Sequence, residues 1–470
     1  MLTRQLPYHH DSALLFERIA HQPWAILLDS GQMLDANSGR PGSQYGHYDI
    51  LVAEPFMTLV TMGENTEITQ QNQVSISAEN PFELLKKILS QFSAPQTGFP
   101  FAGGALGYFS YDLGRRLEKL SSIAEDDVQL PEMMIGVYDW AIVVDHHKKK
   151  CYLVSNGFRE STKVNWVSLC ARFESSYQAD INKNPFVVTS SVQSNLPEPA
   201  YKRAFAKIKA YIAAGDCYQV NLAQRFSVKV QGDSWEMYKQ LRQASPAPFM
   251  AYMQMPSANG GHFQVLSNSP ERFIQVSGKH VETRPIKGTR PRSSNAAQDL
   301  AYSNELLTST KDKAENVMIV DLLRNDLSKS CEIGSVKVNK LFQLQSFANV
   351  HHLVSIVVGK LKADKTAVDV LRDSFPGGSI TGAPKLRAMQ IIEELEPHRR
   401  SVYCGAIGYI GFDGNMDTNI AIRTATICKN LLSFYAGGGI VADSDVSKEY
   451  AETLDKASSL ITIIKLFTRI

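Results

Sequence analysis

The strongest chemical candidates lie in one run, Thr283-Arg284-Pro285-Ile286-Lys287-Gly288-Thr289-Arg290-Pro291-Arg292, where a single lysine stands beside glycine and among three arginines. A lysine is a nucleophile only when neutral, and its ordinary pKa is about 10.4. Desolvation or neighbouring cations would lower that value. On spacing alone the run reads more readily as a solvated basic turn. Glu271, in Asn268-Ser269-Pro270-Glu271-Arg272-Phe273, stands where the chain enters a strand. Partly buried, it can hold a proton near neutral pH and act as a general acid; exposed, it is an ordinary partner for Arg272. Glu315 shares a helical stripe with Met318, Ile319 and Leu322. A carboxylate there is costly unless paired or metal-bound, which makes it a ligand candidate. In the last predicted helix Glu449, Glu452 and Lys456 share a stripe opposite Tyr450, Leu454, Ala457, Ile461 and Ile464. Periodicity reads that stripe as a solvated face. Two separated glutamates completed by water and a substrate oxyanion would also suit Mg²⁺.

Other segments could bind rather than react. Pro376-Gly377-Gly378-Ser379-Ile380-Thr381-Gly382-Ala383-Pro384-Lys385 is a glycine-rich loop feeding a helix, but Ala383 follows Gly382 where a phosphate-binding loop requires lysine. Its N–H groups can hold a carboxylate, or simply begin a helix. Gly437-Gly438-Gly439 permits close backbone approach or marks a bulge. Arg423 is predicted on a strand between Ala421 and Ala425, whose small side chains leave room for an inward guanidinium. His352 alternates with Val350, Val354 and Ile356, as a satisfied core histidine also would. No nucleophile elbow, HExxH, dinucleotide fingerprint or kinase signature is present. The residues describe an enzyme for a small anionic substrate, with Mg²⁺ and a lysine nucleophile as candidates.

These groups need a large frame to position them. The 470 residues allow two or three units of roughly 150 residues, or one large domain with an intimate second lobe. Hydrophobic residues make up 44% and charged residues 20%, proportions that exclude a disordered or fibrous chain. The net charge is only +2, and the densest cationic run, Lys148-Lys149-Lys150, falls in a predicted turn. Nucleic-acid binding through phosphate neutralisation is therefore disfavoured. Six cysteines lie far apart without a CxxC pair, which excludes the common zinc spacings and gives no disulfide framework. No apolar stretch approaches the ~20 residues that cross a bilayer, and the amino-terminal residues carry no signal-peptide core. The expectation is a cytoplasmic protein with no membrane partner.

Residues 24–30 read as a buried strand. Asn80 is predicted to cap a helix with Pro81 in its first turn, Glu83 reaching back to the cap and Leu85, Ile88, Leu89 and Phe92 on its apolar stripe. Residues 138–145 and 151–155 form a predicted hairpin. Residues 182–200 are the most linker-like stretch, followed by a helix carrying Phe205, Ile208 and Ile212 and ended by Gly215. Strands are predicted near 217–228 and 263–290, a long helix over 302–327, strands near 350–358 and 404–440, and a final helix over 446–466. The implied division is 1–185, a linker-like 186–198, and 199–470. One internal echo, 104–112 against 405–413, suggests two equivalent strands in a sheet where glycine permits close approach.

In this order, over nearly the whole chain, the segments resemble the chorismate-utilising enzymes, a family that includes anthranilate and isochorismate synthases. The resemblance rests on Pro23-Trp24-Ala25-Ile26-Leu27-Leu28-Asp29-Ser30 and Gly103-Gly104-Ala105-Leu106-Gly107-Tyr108. It is densest from Gly215-Asp216-Cys217-Tyr218-Gln219-Val220-Asn221-Leu222 to Lys456. Lys287 points to the branch that aminates chorismate to 4-amino-4-deoxychorismate, a precursor of p-aminobenzoate and folate. Anthranilate synthases carry alanine at the corresponding position, and anthranilate synthase component I is the alternative reading. The resemblance implies an α+β, anthranilate-synthase-like fold, with two large mostly antiparallel sheets packed together and helices outside. It implies Mg²⁺ held by Glu315 and Glu452 with Glu449 nearby. Glu271 would protonate the leaving hydroxyl while Lys287 forms a covalent adduct. Arg423, Tyr409, Lys456 and the Thr381, Gly382 and Gly438 backbone would hold carboxylates, with His352 near the leaving region. Tryptophan would bind in the amino-terminal lobe at Ser30, Tyr45, Gly46, His47, Tyr48, Pro248, Phe249 and Met250. The family's glutaminase cassette is not fused here, so ammonia is expected from a separate glutamine amidotransferase subunit. A silent protein that only binds chorismate or tryptophan has no chemical need for Glu271, Lys287, Glu315 and Glu452 together.

Overall fold

The computed structural model describes residues 1–31, 46–175, 184–257, 260–346 and 350–468. Tyr45, one of the expected tryptophan contacts, lies outside them. Two large, mostly antiparallel sheets of 13 and 12 strands organise the described residues. The first runs from Leu2–Leu6 through Ala25–Asp29, Phe249–Pro256, His262–Ser269 and Leu431–Ile440 to Gln219–Gln231 and Val187–Val188. The second runs from Ile286–Pro291 through Val350–Lys360, Arg272–Ser277, Ala406–Gly411, Gly104–Phe109 and Met57–Met62 to Gln73–Ser77.

The inner strands are apolar almost without interruption because both faces are covered. In Ala25–Asp29, Ile26 enters a core shared with Leu106 and Ile407 of the second sheet, while Ala25 and Leu27 join Trp235 and Leu460 on the helical side. Alternation along a strand thus feeds two cores at once. Helices Pro81–Leu89, Thr310–Ser330 and Ala367–Ser374 cover the outer face of the second sheet. Val446–Leu466 covers that of the first, over the span expected from its sequence.

Both sheets draw strands from either side of 186–198. Ala25–Asp29 pairs with Phe249–Pro256, and Gly104–Phe109 pairs with Ala406–Gly411. The second pair is the internal echo: the two copies lie side by side, Gly107 opposite Gly408. A Cβ on Gly107 would stand 2.0 Å from the Met134 carbonyl oxygen, and one on Gly408 2.1 Å from that of Asp417.

Two local expectations need correction. Asn80 does cap its helix, accepting from the Phe82 N–H at 3.0 Å, but Glu83 accepts from Arg372 instead of reaching back. The long helix expected over 302–327 is two helices, Ala296–Thr308 and Thr310–Ser330. Ser309 breaks the run in extended conformation and caps the second helix through the Asp312 N–H. Asn295 likewise caps the first from outside the expected span.

Candidate active site

Glu271 occupies the crossover between the sheets, where His262–Ser269 of the first ends and Arg272–Ser277 of the second begins. Its residue is 6% exposed, and its Oε1 accepts from Ser379 Oγ at 3.0 Å. Arg272 is not its partner: that guanidinium turns to Asp417, at 3.0 and 2.9 Å. Burial raises the Glu271 carboxyl above the ordinary carboxylate range, against the opposing pull of Lys287 and the Ser379 hydrogen bond. It is therefore shaped to carry a proton.

Lys287 lies on the edge strand Ile286–Pro291, whose register against Val350–Lys360 shifts between Ile286 and Thr289. The irregularity re-aims the lysine, and Gly288 supplies its left-handed backbone at φ +78°. Lys287 Nζ donates to the Ser379 carbonyl at 3.3 Å. Burial lowers its pKa; Glu315 opposes that shift and Lys456 adds to it. The three neighbouring arginines are not the cause. Arg284 pairs with Glu282, Arg290 with Glu305 and Arg292 with Asp299.

Glu315, in the first two turns of Thr310–Ser330, has its carboxyl raised by burial, with Lys287 and Lys311 opposing. Glu449, Glu452 and Lys456 project from Val446–Leu466. The expected solvated face is only half so: the Glu449 side chain is 4% exposed, those of Glu452 and Lys456 47% and 43%. Leu454, placed on the apolar row by periodicity, is exposed, and Thr453 is buried instead. Glu449 Oε1 accepts from Ser444 Oγ at 2.7 Å. Lys456 pairs with Glu452 at 2.7 Å and donates to the Gly437 carbonyl at 2.9 Å. Burial would raise the Glu452 carboxyl, but Lys456 and Lys311 carry it below the ordinary range. Gly438 faces this group: a Cβ there would stand 3.2 Å from Glu449 Oε2 and 3.6 Å from Glu452 Oε1. Among the described residues no three His, Cys, Asp or Glu side chains already form a metal cluster. Glutamates from two helices, open on the Gly438 side, nonetheless provide the oxygen donors that Mg²⁺ takes when water and substrate complete its shell.

His352 lies under the lysine segment. It shares a hydrogen bond with Thr289 Oγ1 at 2.8 Å, and burial, then the charge of Arg423, pushes its pKa down to about 3. It is a neutral support for Lys287–Thr289. Arg423 is not on a strand as expected; it forms a left-handed bend at φ +50° before Thr424–Cys428. Burial lowers its pKa, and among the described residues no carboxylate pairs with its guanidinium. Thr381 and Gly382 close the glycine-rich loop against the first sheet: the Thr381 carbonyl accepts from Asn221 N–H at 2.8 Å and Gly382 pairs with Val220. Two residues went unassigned on sequence grounds. Ser379 bridges Glu271 and Lys287, and Lys311 bridges Glu315 and Glu449 at 3.8 and 3.5 Å.

Tyr409 does not join this group. It lines a separate pocket with Ser30, Tyr48, Pro248, Phe249 and Met250, beside Leu28, Asp29 and Ile50. Its strand neighbour Gly408 lies opposite Gly107, and its ring packs on Phe101 at 5.3 Å, so it faces away from the lysine. Ser30 Oγ is buried there without a hydrogen-bond partner among the described residues. Gly46 and His47 are not in the lining; the His47 ring stacks edge-on with His147.

The sequence matches the chorismate binding enzyme family over residues 40–462. It is 45% identical over 460 residues to aminodeoxychorismate synthase component 1 of Klebsiella aerogenes, and 44% over 460 residues to that of Escherichia coli K12, covering 97% of this chain and of each relative. The fold superposes on anthranilate synthase component I from Streptococcus pneumoniae TIGR4 with a TM-score of 0.78 at 30% identity, covering 90% of this chain and 94% of that one. No described helix is long and apolar enough to cross a membrane.

Proposed function

The chain belongs to the chorismate-binding enzyme family, and on that premise we propose that it converts chorismate and ammonia to 4-amino-4-deoxychorismate. The carrying observation is Lys287 in its irregular edge strand, its pKa lowered, bridged through Ser379 to a Glu271 whose pKa is raised. A neutral amine facing a protonated carboxyl is the pairing that nucleophilic displacement of a hydroxyl requires. The Lys287 amine bonds to C2 of chorismate as the ring double bonds shift and the C4–O bond breaks. Glu271 delivers its proton to the departing oxygen, giving water, and the lysine nitrogen releases one of its own. Ammonia then bonds to C4 as the C2–N bond breaks; a proton of the new C4 ammonium passes to the departing lysine nitrogen, so Lys287 returns as a free amine, while the proton released earlier from the adduct nitrogen restores the Glu271 carboxyl and the pyruvyl ether stays intact.

Arg423, Lys456 and the Thr381, Gly382 and Gly438 backbone orient the substrate carboxylates, and the Arg423 guanidinium, which pairs with no carboxylate among the described residues, supports that role. Glu315 and Glu452, with Glu449 beside them, would hold Mg²⁺, which neutralises a substrate carboxylate when bound. Ammonia comes from a separate glutamine amidotransferase subunit, consistent with the "component 1" of the relatives' names. If glutamine supports no turnover with any such subunit, that partner assignment fails. The pocket at Ser30, Tyr48, Pro248, Phe249, Met250 and Tyr409 takes tryptophan: apolar walls suit the indole, and Ser30 Oγ offers a polar anchor. Protein that releases no tryptophan on denaturation and binds none on titration would remove this reading.

Product identification tests the whole. Chorismate, Mg²⁺ and ammonium salt with pure protein should give an amine that retains the pyruvyl group by mass spectrometry. Anthranilate instead would move the chain to the branch of the Streptococcus neighbour.

A further inference from the structure

We infer that Lys311 is an exchangeable counter-ion for the carboxylate group at Glu315 and Glu449, holding that group together in the metal-free protein and setting how tightly a divalent cation binds. The inference rests on the reading of Glu315, Glu449 and Glu452 as a Mg²⁺ site.

Two glutamates from different helices converge here with little exposure, Glu449 at 4% and Glu315 at 18% for the side chains. Uncompensated carboxylates so placed repel each other and lack solvation. Glu452 is already neutralised by Lys456 at 2.7 Å. Glu315 is compensated by Lys287 and Lys311, and Glu449 by Lys311, whose Nζ stands 3.8 Å from Glu315 and 3.5 Å from Glu449. Among the described residues Glu449 alone of the two has a further side-chain donor, Ser444 Oγ.

Lys311 differs from Lys456 in its tether and exposure. It sits in the first turn of Thr310–Ser330, its side chain is 55% exposed, and both contacts exceed ordinary hydrogen-bond length. Among the described residues these two long contacts are the ion pairs its ammonium makes, so it can swing into solvent at the cost of two weak ion pairs. A divalent cation approaching between the glutamates would meet an ammonium already serving them, and the two charges cannot share the same oxygens. Cation binding therefore displaces Lys311, and its affinity is reduced by whatever the lysine contributes to the metal-free state.

Calorimetric titration of Mg²⁺ into the full-length protein in the presence of chorismate, with thermal melts in EDTA and in Mg²⁺, tests the exchange. Lys311→Met should bind Mg²⁺ about three- to tenfold more tightly than wild type, the size expected for two weak ion pairs removed. It should also melt lower than wild type in EDTA and recover that loss in Mg²⁺. Lys311→Arg, which keeps the charge, should retain wild-type affinity and melting in both media. Unchanged or weaker Mg²⁺ binding by Lys311→Met, with wild type binding normally, overturns the exchange while leaving the metal site standing. Wild type that binds no Mg²⁺ with chorismate overturns the metal site, and this inference with it.

Discussion

Glu271 and Lys287 are each unremarkable by residue type; their chemistry comes from what surrounds them. Burial pushes the carboxyl up and the amine down, so both lean toward their uncharged forms. At fixed free-ammonia concentration, kcat/KM should be bell-shaped in pH. A neutral amine and a protonated carboxyl are needed together, so activity falls on either side of the pH at which that form is most abundant; a monotonic profile would contradict the pairing. Glu271→Gln should lower kcat by about 10²–10⁴-fold, the usual worth of a general acid, while leaving chorismate binding nearly intact. Lys287→Ala should slow amination and abolish the protein–substrate adduct detectable by intact-protein mass spectrometry in wild type. Which residues carry chemistry was legible because their types are unusual for their settings: a lysine beside glycine between prolines, a glutamate on an apolar stripe. Their surroundings were not. The arginines around Lys287 suggested electrostatic depression of its pKa, yet each has a carboxylate of its own. Ser379 went unassigned because its two bonds reach residues 108 and 92 positions away. Tyr409 was misplaced because strand parity, which sends its ring toward Tyr48 rather than Lys287, depends on register with a strand some 300 residues earlier in the chain.

At the scale of elements, the irregular edge strand and its support make the lysine usable. Gly288 adopts φ +78°, and a Cβ there would meet Leu306 Cδ1 at 2.7 Å. Gly288→Ala should therefore cost about 1–3 kcal/mol in stability and lower activity through displaced Lys287, measurable by denaturant melts and kcat. His352 supports the same segment from Val350–Lys360. Its native pKa of about 3 lies below the ordinary 6.5. A base whose folded pKa is depressed contributes no penalty above its unfolded pKa. The penalty grows as pH falls from 6.5 toward 3, because the unfolded chain takes up a proton that the folded one refuses. His352→Gln should be less stable than wild type at pH 8, where only the lost hydrogen bonds count. The gap should close by about 2–3 kcal/mol at pH 4.5; a constant gap would mean the imidazole is not buried neutral. Element types were legible wherever periodicity ran long, as in the final helix, predicted and observed over 446–466. The break at Ser309 was not, because the polar residues 308–313 hold no glycine or proline to stop a helix and only the cap chemistry of Ser309 and Asp312 marks it.

For the whole molecule, the linker-like composition of 186–198 and the sheet topology describe different things. Composition reports where few side chains are buried; it carries no record of which strands pair across it. Both sheets are sewn together across that segment, Ala25–Asp29 against Phe249–Pro256 and Gly104–Phe109 against Ala406–Gly411. Each pair sits inside its sheet, so neither is an edge in the intact chain. A fragment of residues 199–470 would keep every proposed catalytic side chain, Glu271, Lys287, Glu315 and Glu452 included. It would also bare the long flanks of Phe249–Pro256 and Ala406–Gly411, apolar strands with unpaired N–H and C=O groups, which recruit other chains. The core shared by Ile26, Leu106 and Ile407 would lose two of those three. Expressed alone, 199–470 should aggregate and show no cooperative melt. Co-expressed with 1–185, it should become soluble, copurify and regain chorismate turnover, because the missing strands are supplied in trans. A soluble, cooperatively melting, active 199–470 would show that the catalytic portion holds its site without the paired strands, and that their contribution lies with the separate pocket at Ser30.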